Sequence, residues 1–133
     1  MSHRFPIRLG RRSWPVLRLF GVRPGRAWVD LNGELVARFG FYEFRTPVSN
    51  ISRWRIEGPF RWITAIGVRM SIRDRDLTFG GDPRGAVRLD FREPVRWTIF
   101  RVPALYVTVE QLEALGAELD ARGIHGEDVR TGR

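Results

Sequence analysis

The sequence predicts a mainly β domain, an antiparallel barrel of seven or eight strands closed by one C-terminal helix. Three observations carry that prediction. Short stretches of period-two alternation follow one another from Trp28 to Val109, turn residues separate them without intervening helices, and a helical pattern opens only at Thr108. Strands in series pair antiparallel and need their apolar face covered, and a terminal helix can plug or flank one end.

The elements follow in chain order. Residues 1 to 13 lack periodicity and are expected to form a flexible basic arm ahead of a single domain over residues 14 to 124. Trp14 to Val22 is apolar enough to pack, either as an edge strand or as a short turn of helix after Ser13, and Pro24-Gly25 marks a turn. Trp28 to Leu31 and Glu34 to Phe39 flank Asn32-Gly33, the hairpin signal in which both central residues take positive φ. A third strand covers Phe41 to Thr46. Ser52, Trp54 and Ile56 alternate with Arg53, Arg55 and Glu57, as Val68, Met70 and Ile72 do with Arg69, Ser71 and Arg73. Asp74-Arg75-Asp76 leads into a short Leu77 to Phe79 strand, and Gly80 through Gly85 turns the chain again. Val87, Leu89 and Phe91 then face inward, Glu93 to Pro103 reads as a connection, and Leu105, Val107 and Val109 form the last strand.

The helix is expected over residues 110 to 122. Thr108 and Gln111 have the spacing of a capping box, in which each side chain satisfies an orphan backbone N–H. Leu112, Leu115 and Leu119 form a narrow apolar stripe, Arg122 suits the negative end of the helix dipole, and Gly123 suits the left-handed C′ position. Residues 125 to 133 are expected to be a flexible tail.

Composition bounds the chemistry. With 133 residues and no cysteine, the chain has the length of one domain and no disulfide or thiolate chemistry. The apolar runs are too short to cross a bilayer, and the N-terminus lacks a signal-peptide pattern, so cytoplasmic residence is expected, with peripheral membrane attachment under the alternative below. The net charge is +8, but the first 26 residues supply seven arginines and no acid, leaving 16 arginines against all 15 acids in the remainder. The arm is the polycation; the barrel is nearly neutral. All the basic residues are arginine, which reads as compositional bias more readily than as selection for phosphate binding.

No enzyme is expected. His3 and His125 both fall in expected tails, so neither is placed as a general base or metal ligand. Asp74, Asp76 and Asp82 read as turn residues because Asx side chains bond their own backbone, and Gly80, Gly81 and Gly85 read as hairpin glycines because no helix follows to receive a phosphate. Neither a metal nor a cofactor is expected.

Thr46-Pro47-Val48-Ser49-Asn50-Ile51 leading into a strand, together with Phe39-Gly40, Gly58-Pro59-Phe60-Arg61-Trp62 and Phe91-Arg92-Glu93-Pro94, resembles a group of short, uncharacterised actinobacterial proteins. The order of elements likewise resembles the bacterial pleckstrin-homology-like (PH-like) domain. The resemblance spans roughly residues 26 to 123 and implies a PH-like barrel. A phosphoinositide pocket is not implied, since the first hairpin places Asn32-Gly33 between Asp30 and Glu34 where lipid-binding relatives carry basic residues.

Two segments mix aromatic residues with arginine, the residue types enriched where proteins bind one another. They supply the candidate partner-binding residues Phe60, Arg61 and Trp62 in one, and Arg96, Trp97, Phe100 and Arg101 in the other, although the same residues can instead close the barrel's ends, with arginine stems laid along the rings. The outward strand arginines read as a solvated face paired with Glu57 and Asp90. The function expected is a non-enzymatic binding module for a protein partner or a second copy. The alternative is a peripheral binder of anionic membrane or nucleic acid through the arm residues Arg4, Arg8, Arg11 and Arg12. On that view a chain beginning at Ser13 keeps its fold and loses its salt-sensitive affinity.

Overall fold

Alternating burial along successive strands produces two facing sheets with one core between them. The computed structural model describes residues 3–10, 13–22, 25–59, 67–70, 76–82 and 84–130. The first sheet is an antiparallel meander of β1 (His3–Pro6), β2 (Ala27–Leu31), β3 (Glu34–Phe39) and β4 (Tyr42–Pro47). A 3-10 turn at Val48–Asn50 carries the chain into the second sheet, formed by β5 (Ile51–Glu57), β6 (Gly67–Met70), β7 (Leu77–Gly80), β8 (Ala86–Trp97), β9 (Phe100–Val107) and β10 (Gly126–Asp128). Its spatial order is β10-β5-β8-β9-β7-β6. The helices described are α1 (Trp14–Leu19) and α2 (Leu112–Ala121), and strand makes up 55% of the structure.

The mainly β class is therefore correct, but the barrel is not closed. Among the described residues only the Ile7–Val109 bridge and its flanking backbone bonds join the two sheets; elsewhere they meet through side chains. Phe39 stacks on Phe79 with ring centroids 5.5 Å apart, and Phe44 on Phe91 at 5.4 Å. Val29, Leu31, Leu35 and Ala37 complete the inner face of the first sheet, and Leu77, Val87, Leu89, Leu105 and Val107 that of the second, all fully buried. The strands are not uniformly antiparallel either. β7 pairs parallel with β9, because the β8–β9 hairpin enters the sheet between β5 and β7, and β10 pairs parallel with β5 after the chain returns through α2.

Both expected tails are corrected in the same way, by backbone hydrogen bonding that leaves no trace in side-chain periodicity. β1 pairs with β2 from His3–Leu31 to Pro6–Trp28, Ile7 bridges Val109, and Ile7 is 3% exposed. The amides of Arg8 and Gly10 donate to the carbonyls of Thr108 and Gly81. At the other end β10 satisfies the open edge of β5, and Arg130 reaches Asp128 and Glu113, tying the segment to α2.

Local signals fared unevenly. The leucine stripe of α2 is buried against β5 and β8, each leucine gaining about 1.5–3 kcal/mol relative to exposure. Gly123 adopts φ 85°, and the amides of Gly123 and Ile124 donate to Asp120 and Leu119, closing the helix as expected. The capping box does not form: the helix starts after Gln111 without a side-chain cap, and Thr108 Oγ1 accepts the Gly81 amide instead. The Asn32-Gly33 hairpin exists, but Leu31 opposes Leu35 and neither turn residue takes a left-handed conformation, so three residues make the connection. Of the two readings of Trp14 to Val22, the short helix is the one found, with a proline in its first turn.

Candidate functional site

The alternation of β8 breaks where the chain passes Arg92-Glu93-Pro94, and its pairing with β9 shifts register between Asp90 and Val95. Proline donates no ladder bond, so an irregularity falls there naturally. Beyond it the hairpin resumes with Val95 opposite Val102, Arg96 opposite Arg101 and Trp97 opposite Phe100. Arg96, Trp97, Phe100 and Arg101, expected on a connecting loop, thus form the rigid end of a hairpin.

Its base is anchored. Trp97 Nε1 donates to the Glu43 carbonyl at 3.0 Å, and its ring lies 5.9 Å from Tyr42 and 6.2 Å from Phe79. Tyr42 in turn lies 6.1 Å from Phe20 at the end of α1. Its tip is apolar and strained. Thr98 and Ile99 make a two-residue turn in which Thr98 takes φ 55°, a conformation that glycine and asparagine favour and β-branched residues resist. Such a residue costs of order 1–3 kcal/mol and persists only where its surroundings enforce it.

Ile99 is 86% and Phe100 43% exposed. The ladder of rings leads from them to two further exposed side chains, Leu19 beside Phe20 and Phe41 beside Tyr42, at 81% and 71%. Four of the five exposed large apolar side chains described are thus sequence neighbours or hairpin partners of that ladder. The sequence did not single out Leu19 or Phe41; the signal available was Gly40, which at φ 64° turns β3 into β4 and places Phe41 outward.

Arg96 and Arg101 pair one rung before the turn, on the face of the hairpin opposite Trp97 and Phe100. Directly opposite one another and exposed, they have no acidic partner among the described residues, an arrangement that is destabilising in an isolated hairpin. Phe60, Arg61 and Trp62 lie outside the described residues, although Gly67, where the description resumes, abuts the Phe20 ring.

The arm residues fare differently. The Arg4 guanidinium lies 4.0 Å from the Trp28 ring centroid, and Arg8 Nη2 donates to the Glu110 carbonyl at 3.0 Å. Arg11 and Arg12 lie outside the described residues.

Arg53, Arg55 and Arg88, outward arginines of the second sheet, form a paired network. Arg88 donates to Asp76 at 2.8 Å, Asp90 at 2.9 Å and the Tyr106 hydroxyl at 2.8 Å; Tyr106 donates to Glu57 at 3.2 Å. Arg53 pairs with Asp90 and Arg55 with Glu57. Burial works against the Arg88 charge, yet its bonds to Tyr106 and Asp90 outweigh that and raise its pKa. Burial raises the Tyr106 phenol as well, with Arg88 opposing. Within this network three arginines balance Asp76, Asp90 and Glu57, while Arg92 donates to the Ser49 carbonyl. Asp82 accepts the Arg84 amide at 2.8 Å, the turn bond expected of an Asx residue; Asp74 lies outside the described residues.

Among the described residues no group of three or more His, Cys, Asp or Glu is placed to hold a metal ion, and no helix is long and apolar enough to cross a membrane. Comparison with protein-family models, curated proteins and solved structures finds no match.

Proposed function

We propose that the chain is a non-enzymatic binding module that docks on a protein partner or a second copy through the end built by Leu19, Phe41, Ile99 and Phe100. The observation that carries this reading is the exposure of Ile99 and Phe100 on a ring-anchored hairpin whose turn chemistry favours small polar residues. A local rule broken without local compensation marks a site kept for another purpose. The resemblance to PH-like modules supports the reading by analogy alone, through a strand meander and a terminal helix. The alternative, membrane or nucleic-acid binding through the arm, has less support because Arg4 and Arg8 are engaged within the fold.

Carbene footprinting tests the proposal without knowledge of the partner. Ile99, Phe100 and Phe41 should label strongly in the purified monomer and be protected in the cell that makes the protein. Equal labelling in both settings refutes docking through this end.

A further inference from the structure

We infer that a hollow at the open edge of β5 binds a small phosphorylated polyol. Its lining shares no residue with the docking end, so the two readings stand or fall separately. β10 pairs with β5 only from Trp54 to Ile56, which leaves the edge ahead of Trp54 uncovered, and a hollow of about 430 Å³ lies at this step. That volume falls in the range of small-molecule sites, about 300–1,000 Å³. Arg53, Arg55, Arg92 and Glu127 line it, with Ser52 and His125 beside them.

The three arginines are held alike. Arg53 Nε donates to Asp90 at 3.2 Å, Arg92 Nε donates to the Ser49 carbonyl at 3.1 Å, and Arg55 Nε lies 3.4 Å from Glu57 Oε2. Each guanidinium is thus fixed through its Nε edge, and none of the Nη atoms has a hydrogen-bond partner among the described residues. A guanidinium oriented by one bond, with donors left over, is preorganised for an oxyanion, and a tetrahedral phosphoryl group accepts from several such forks at once. Asp90 and Glu57 offset the arginine charge at long range, so the attraction comes from donor geometry and not from a steering field. Glu127 narrows the ligand further. It stands opposite Arg55 in the register without pairing with it, and an ionised carboxylate only accepts hydrogen bonds. A ligand that fills the hollow therefore gives its phosphoryl group to the arginines and a hydroxyl to Glu127, whereas a bare oxyanion meets Glu127 as a like charge.

Nitrogen–proton NMR spectra of the full chain, titrated with α-glycerophosphate at constant ionic strength, test this. Saturable shifts are expected at the Nε–H groups of Arg53, Arg55 and Arg92 and at the amides of Ser52 and Gly126. Arg53→Gln and Arg92→Gln should each weaken binding by about tenfold, the loss of one charged hydrogen bond. Arg92→Lys, which keeps the charge and loses the fork, should weaken it nearly as much. Both side chains are exposed, so the fold is kept, as circular dichroism checks, and Arg101→Gln on the distant hairpin rung should change nothing. Inorganic phosphate should bind about tenfold more weakly than α-glycerophosphate, for want of the bond to Glu127. Shifts that never saturate or that spread to Arg96 and Arg101, or affinity indifferent to Arg53→Gln and Arg92→Gln, overturn the site. Equal affinity for inorganic phosphate overturns the polyol assignment. Co-sedimentation with phosphatidic acid vesicles, which carry the same monoester on a surface, overturns the small-ligand assignment if Arg92→Gln abolishes it.

Discussion

Gly116→Ala sets two effects of similar size against each other, and the structure decides the sign. Gly116 lies inside α2, where alanine would gain about 1 kcal/mol of helix propensity. The new Cβ, however, would sit 2.8 Å from both Cζ3 and Cη2 of Trp54, well inside van der Waals contact. The ring has no retreat. Its Nε1 donates to the Ile124 carbonyl at 2.8 Å, and on the β10 side Gly126 lies so close that a Cβ there would overlap the indole. Overpacking of a held ring costs about 1–3 kcal/mol, toward the upper end when neither neighbour can shift, so a net loss of about 1–2 kcal/mol is expected. Urea denaturation followed by far-UV circular dichroism reads it, and thermal melts should show a drop in Tm of about 3–5 °C for each kcal/mol in a chain of this length. In a Trp54→Phe background, which lacks the fused six-membered ring, the same substitution should become neutral or stabilising. A Gly116→Ala variant as stable as wild type would refute the claim that Trp54 is locked between α2 and β10.

Three further outcomes follow from the packing and the charge network. Leu115→Ala should cost about 2–5 kcal/mol, read by chemical denaturation, since Leu115 is fully buried beneath α2; no change would mean that the helix is not docked there. The Tyr106 phenol has its pKa raised above the ordinary value of 10.0, so the folded chain holds a proton that the unfolded chain gives up. That stabilisation is complete below about pH 10 and is lost as pH rises through the raised value; Tyr106→Phe should flatten this alkaline decline in denaturant midpoint, and an unchanged slope would show that another group causes it. Deleting residues 1 to 12 should now destabilise the fold by about 2–4 kcal/mol, because β1 and the Ile7 bridge to Val109 go with them. An unchanged melt would restore the free-arm reading.

What could be read from the chain was whatever side chains encode by period. The strands with inward Leu35, Ala37 and Phe39 or Val87 and Leu89 are visible because one face is wholly buried, and the leucines of α2 are visible for the same reason. β1 and β10 were not visible, since an edge strand three or four residues long is defined by whose carbonyls it meets. Parallel pairing of β7 with β9 was hidden too, because sheet order depends on contacts distant in sequence. At the candidate site Trp97 and Phe100 stood out by composition. The tight turn between them did not, because Thr98 and Ile99 are the wrong residues for it, and Phe41 took its place only when Gly40 was seen to turn the meander.

The bridge between Ile7 and Val109 also bears on how the chain reaches its native state. Its neighbour, the bond from Arg8 to the Glu110 carbonyl, closes a separation of 102 residues, and β10 returns to β5 across most of the second half of the molecule. Contacts of such span are formed late, because the loop entropy must be lost before they return any energy. The β1–β2–β3–β4 sheet is local by comparison and can assemble early, with only Ile7 at the end of β1 waiting for Val109. On a ribosome the first sheet would therefore stand with its apolar face uncovered until the second has emerged. Refolding in milliseconds to seconds, slower than a helical bundle of equal length, is the kinetic signature expected of this wiring.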